Sequence, residues 1–168
     1  LYRIDRSMEN GGGALGDIGP YAIHTIRQCF KDNPKRVKAI AKLNEHGADI
    51  ATSGLIDFGN SKRATFDISF ECTRRSEFEA FGALGRVKCP TVWQPDDKQA
   101  KIIINTESSG LTEEVVPAAN HFVLEINHFN KVISSDIVPK LSNEDAFWNA
   151  KTLESIEQSI KKDGWIHL

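Results

Sequence analysis

Three features of these 168 residues predict an α+β domain: an open, mostly antiparallel sheet of about six strands with helices packed on one face. The β-type segments come as a run, and the last two helical segments follow them without regular βαβ alternation. Residues 65–71 alternate strictly, with Phe66, Ile68 and Phe70 on one side and Asp67, Ser69 and Glu71 on the other. Two amphipathic helical patterns then close the chain. At this length residues 1–168 suffice for one domain with a substantial core.

The first element follows a glycine run, Gly11-Gly12-Gly13-Ala14-Leu15-Gly16-Asp17-Ile18-Gly19-Pro20-Tyr21. Projected as a helix at about 100° per residue, Asp17, Tyr21, His24 and Gln28 fall on one narrow polar strip. Ile18, Ala22, Ile23, Ile26, Cys29 and Phe30 spread over the opposite, buried side. The strip can be a polar face exposed to water, or an acid and a proton donor one turn apart.

Asn33-Pro34 breaks this helix, and the pattern turns to β. Val37, Ala39 and Ala41 alternate with Lys38, Ile40 and Lys42. A second strand runs over about 49–58 to the Gly59-Asn60 turn, and the strictly alternating strand follows. Residues 77–81 form a fourth strand, and Gly82-Ala83-Leu84-Gly85-Arg86 turns it back into 87–89. Asp96-Asp97-Lys98 is a polar turn, and 100–105 and 111–117 complete the β region.

The helix expected over 119–135 carries Phe122, Ile126, Phe129 and Ile133 as a stripe for burial. The next begins at Ser142 with Glu144 and Asp145 in its first turn, a cap that suits the helix dipole. Ala146, Ala150, Leu153, Ile156 and Ile160 give its inner face. Gly164 ends it, and 165–168 read as a short last strand.

Composition excludes several classes. The formal net charge is −2, and no Lys/Arg cluster points to nucleic acid. No apolar run approaches the roughly 20 residues of a membrane helix, and no secretory leader pattern opens the chain. Three cysteines, Cys29, Cys72 and Cys89, are widely spaced among apolar neighbours. They read as reduced, buried thiols of a cytoplasmic protein.

Gly11, Gly13 and Gly16 fit G-x-G-x-x-G, but Arg6-Ser7-Met8-Glu9-Asn10 ahead of them is no buried strand. The dinucleotide fingerprint needs that strand. The glycines are therefore read as a turn that places Asp17 near a helix start. His121, Glu125 and His128 share one helix face, as zinc ligands, substrate contacts or plain surface. They are not H-E-x-x-H, and no metal is assigned. No nucleophile elbow surrounds any serine.

The Gly-Gly-Gly-x-Leu-x-Asp-x-Gly-x-Tyr run resembles the opening of the C-terminal domain of the glucose-fructose oxidoreductase/inositol dehydrogenase (Gfo/Idh/MocA) family. Tyr2-Arg3-Ile4-Asp5 is similar to the aromatic-Arg-x-Asp segment those proteins carry there, and the Gly82–Arg86 hairpin agrees in order. The resemblance implies the same α+β architecture and an oxidoreductase using NAD or NADP. It implies a preceding nucleotide-binding Rossmann domain, absent from this chain, which begins at Leu1 and has Met8 as its only methionine. The chain is accordingly read as a fragment or one part of a divided protein.

Asp17 and Tyr21 match the family's catalytic Asp and His-or-Tyr positions, completed there by a Lys of the preceding domain. Tyr21 sets the chain beside the Tyr-bearing branch, similar to dihydrodiol and xylose dehydrogenases. His24, His121, Glu125 and His128 are the candidate contacts to a sugar, polyol or related alcohol. The family's sheet face often supports oligomer contacts; here Thr65, Asp67, Ser69 and Glu71 would line it in a homo-oligomer. The alternative is a non-catalytic relative that senses a ligand or binds a partner.

Overall fold

The computed structural model describes residues 3–93, 98–134 and 137–168. Tyr2 and the Asp96-Asp97 part of the expected polar turn lie outside the described residues. The chain divides into two compact units, residues 1–72 with 141–168, and residues 73–140.

In the first unit a single 3-10 turn, Met8–Asn10, leads into α1 (Ala14–Asp17) and α2 (Gly19–Phe30). One continuous helix was the expectation from sequence. The break falls at Ile18, because Pro20 in the first turn of α2 has no N–H to continue the ladder. Strands β1 (Arg36–Leu43), β2 (Asp49–Gly59) and β3 (Lys62–Ser69) follow as an antiparallel meander. The long helix α4 (Asn143–Lys162) returns to this unit, and β8 (Ile166–His167) adds to the free edge of β1. The sheet order is β3-β2-β1-β8.

The second unit holds β4 (Phe78–Gly82), β5 (Gly85–Cys89), β6 (Ala100–Thr106) and β7 (Gly110–Val116), an antiparallel sheet in sequence order, followed by α3 (His121–Ile133). The α+β class stands, with antiparallel pairing throughout. The strands, however, divide into two four-stranded sheets, where sequence suggested one of about six. Alternation within a strand reports its two faces and says nothing of where one sheet ends.

The core sits between the β1–β3 face and the helices. Val37, Ala39, Ile56, Phe58, Phe66 and Ile68 from the strands meet Ala14, Leu15, Ile23, Ile26 and Ile156 from the helices. The 65–71 alternation is realised: Phe66 and Ile68 are buried, and Thr65 and Asp67 are exposed. Phe66 lies across its pairing partner Gly54, where a Cβ would come within 2.5 Å of the ring.

Three side-chain expectations change. Cys29 is exposed, as is Cys72, while Arg27 turns inward with Ile23 and Ile26. Arg27 can be buried because Asn33 and the Asp145 carbonyl accept its N–H groups. On α4, Ala146 and Ala150 are exposed; Leu153, Ile156 and Ile160 pack inward as expected, joined by Thr152, Ser155 and Ser159. Small hydroxyls allow close approach and stay satisfied: Thr152 donates to Trp148 O and Ser155 to Lys151 O. The third is the α3 stripe, where Phe122, Ile126, Phe129 and Ile133 are 59–63% exposed. Periodicity marks the face that favours cover, but the cover itself is a tertiary matter.

Ser159 links the end of α4 to the sheet. Its hydroxyl donates to Gly164 O at 2.6 Å and accepts the Ala39 N–H at 3.0 Å. Beyond the reach of the two-residue β8, that N–H has no strand to bond to. Ser159→Ala should cost about 1–3 kcal/mol in urea unfolding, since it orphans a buried N–H.

Acid should act through Asp57. Its carboxyl is held below the ordinary value, first by the Gly59 N–H and then by the Arg36 guanidinium at 2.8 Å. The unfolded chain binds this proton more readily than the folded one. The stabilisation is thus complete above the ordinary value near 3.9 and fades as pH falls through the lower folded value. Asp57→Asn should flatten the loss of stability below about pH 4, read from unfolding midpoints across pH.

Candidate functional site

The polar strip predicted along the first helix is divided among different partners. Asp17 ends α1 and accepts a hydrogen bond from Arg3 Nη1 at 2.6 Å. Tyr21 stands in the first turn of α2, 55% exposed. Among the described residues its phenol oxygen has no hydrogen-bond partner, so the hydroxyl is free for another molecule. His24 Nδ1 lies 3.2 Å from Asp145 Oδ2, and Gln28 donates to Asp145 Oδ1 at 3.0 Å.

Asp145 therefore collects His24, Arg27 and Gln28 onto the first turn of α4. Arg27 Nη1 sits 3.1 Å from its Oδ1 with both groups well covered. Ser142 caps the same turn, its Oγ accepting the Asp145 N–H as the sequence suggested. His24, a candidate substrate contact from sequence, also takes part in the α2–α4 contact. That leaves Asp17 and Tyr21 as the part of the strip directed outward.

The α1 turn also meets Asp49, which sequence reading missed. Asp49 is fully buried at the first residue of β2. Its Oδ2 accepts the Leu15 N–H at 2.8 Å and the Thr52 hydroxyl at 2.6 Å. Burial pushes its carboxyl above the ordinary value, against the pull of Thr52 and Leu15. Its Oδ1 is buried without a hydrogen-bond partner among the described residues. The available signal was an Asp inside an apolar strand with Thr three residues on, too common to be diagnostic.

The glycines now have physical causes. Gly13 has φ +94°, and a Cβ there would overlap Asp49 Oδ1; a Cβ on Gly12 would overlap the Arg6 carbonyl oxygen. Both contacts are internal to the protein. A dinucleotide loop needs its glycines open to a pyrophosphate after a buried strand. This run follows a 3-10 turn, so its residues do not fit that cofactor. A shallow depression nearby is lined by Asp5, Arg6, Ser7, Asn10 and His46.

His121, Glu125 and His128 occur on α3, in the second unit. The His121 ring lies tilted beside that of Phe122, centroids 4.1 Å apart, and His128 Nε2 accepts the Lys140 N–H at 3.3 Å. No cluster of three His, Cys, Asp or Glu residues able to hold a metal occurs among the described residues.

Comparison with known proteins identifies the family. The model of the GFO/IDH/MocA C-terminal domain matches residues 2–88, which include the glycine run, Asp17, Tyr21 and Asp49. The chain is 28% identical over 109 residues to a trans-1,2-dihydrobenzene-1,2-diol dehydrogenase of Xenopus tropicalis, covering 62% of this chain and 32% of that protein. It is 21% identical over 167 residues to a D-xylose 1-dehydrogenase (NADP(+)) of Haloferax volcanii, covering 99% and 50%. A 3-ketoreductase from Actinomadura kijaniata, solved with TDP-benzene and NADP, superposes with a TM-score of 0.79 at 22% identity, covering 89% of this chain and 48% of that one. The last likeness shows the fold. The chain spans half or less of the length of the curated relatives it matches. Matched over residues 2–88, more than half of its length, the chain belongs to the GFO/IDH/MocA family as a C-terminal domain.

Proposed function

We propose that this chain is the catalytic and substrate side of an NAD(P)-dependent oxidoreductase acting on the CH–OH group of a sugar, dihydrodiol or related alcohol. The observation that carries the reading is the Tyr21 phenol, exposed and unpartnered on the helix that follows the Asp17 turn. A phenol titrates near 10 and exchanges protons poorly at neutral pH unless a cation stands beside it. The Lys implied by the family resemblance would supply that cation, with Asp17 orienting it. Tyr21 or that Lys would exchange the hydroxyl proton while the nicotinamide, held outside these residues, exchanges the hydride.

His24, His121, Glu125 and His128 remain proposed contacts to a hydroxylated substrate, with His24 also supported by Asp145. The outer face of β1–β3, with Ile40 65% exposed beside Ser53 and Asp67, supports a homo-oligomer contact. Cys29 and Cys72, both exposed and outside any disulfide, suit the reducing cytoplasm.

In the full-length protein, Tyr21→Phe should lower turnover by about 10²–10⁴ with folding intact, because only the hydroxyl is removed. Asp17→Asn should lose less and displace the pH–rate profile, since its part is to orient. Wild-type turnover in both variants would remove this helix from the mechanism and favour a non-catalytic sensor. NADH fluorescence titrated with residues 1–168 alone should show no saturable binding. Saturation at micromolar concentrations would overturn the assignment of the nucleotide to residues outside this chain.

A further inference from the structure

We infer that Asp49 is the positioning residue of the proposed acid–base pair, fixing from the sheet the turn that carries Asp17 and leads to Tyr21. This rests on the acid–base reading of those two side chains. Asp49 touches neither of them, so its action is through the backbone.

The argument begins with α1. It has four residues, and its N-cap, Gly13, has no side chain to cap it. A helix this short cannot sustain itself. The missing acceptor is brought from 34 residues away, where Asp49 Oδ2 takes the Leu15 N–H at 2.8 Å. Thr52 Oγ1 holds the same oxygen at 2.6 Å, so the carboxylate is itself immobilised. The other oxygen lies where a Gly13 Cβ would be. Gly13 and Asp49 thus interlock, leaving the turn one seat on the sheet.

Stability alone is a poor explanation for an acid here. Desolvation opposes the two hydrogen bonds, and Oδ1 gains none. A buried charge is weak evidence of net stabilisation, and what Asp49 visibly does is fix the Gly13–Leu15 turn against β2. Asp17 sits two residues beyond the gripped Leu15 N–H, and Tyr21 follows across the Ile18 break. A displacement of about 1 Å at such a site can cost on the order of 100-fold in rate.

The test is a double-mutant cycle in the full-length protein, with turnover, KM and nucleotide affinity measured for Asp49→Asn, Tyr21→Phe and the double variant. Asp49→Asn should lower kcat by about tenfold or more, with KM and nucleotide affinity within about twofold. On the Tyr21→Phe background the same change should cost less than about threefold, because the group it positions is already gone. Wild-type kcat for Asp49→Asn, or losses that multiply in the double variant, would overturn the inference while an impaired Tyr21→Phe leaves the acid–base reading standing. Wild-type turnover for Tyr21→Phe would overturn both. Should Asp49→Asn not fold, Thr52→Val removes only the hydroxyl that braces the carboxylate. It runs through the same cycle, with non-additive loss supporting the inference and multiplied or absent loss overturning it.

Discussion

A buried carboxylate at the start of β2 joins the amino-terminal segment to the sheet. Through Asp49 the Leu15 N–H is satisfied, and Ala14 and Leu15 enter the core between sheet and helices. Nothing local could do this, because Gly13 at the N-cap offers no side chain and α1 ends after one turn. The glycines and the aspartate are two halves of one constraint. Gly13 must lack a Cβ because Asp49 occupies its place, and Asp49 tolerates burial because the turn supplies a donor.

A second constraint sets α2 against α4. Buried Arg27 shares Asn33 with its own loop and Asp145 with α4, while His24 and Gln28 reach the same carboxylate. This network is half-covered and hydrogen-bonded at several points, unlike the exposed pairs Lys42–Glu71 and Lys161–Glu9. Exposed pairs contribute little. The network also decides the chemistry available on α2, since it takes up the inward half of the polar strip and leaves Tyr21 facing out.

The family is shared with proteins named for quite different substrates, and identities near 20–28% preserve the architecture. A fold of this kind says little about reaction by itself; the argument for one rests on Asp17, Tyr21 and their support. The apolar face of α3 adds that a helix can carry a well-formed stripe and still present it to solvent within the residues described.

Much of this protein was legible in its amino-acid order. Alternation together with turn residues located β1 to β7 to within a few residues, Ser142 announced the cap of α4, and Gly164 marked its end. These are local properties, set by side-chain period and backbone preference. The glycine run and the Asp17–Tyr21 spacing were visible for the same reason. Decisions that depend on distant residues were not. The division into two sheets, the inward turn of Arg27 in place of Cys29, the pairing of His24 with Asp145 and the grip of Asp49 on Leu15 all join groups far apart in sequence. A buried polar group is tolerated only where a partner meets it, and that partner is identified by the folded chain, because periodicity gives the face of a residue and never its neighbour.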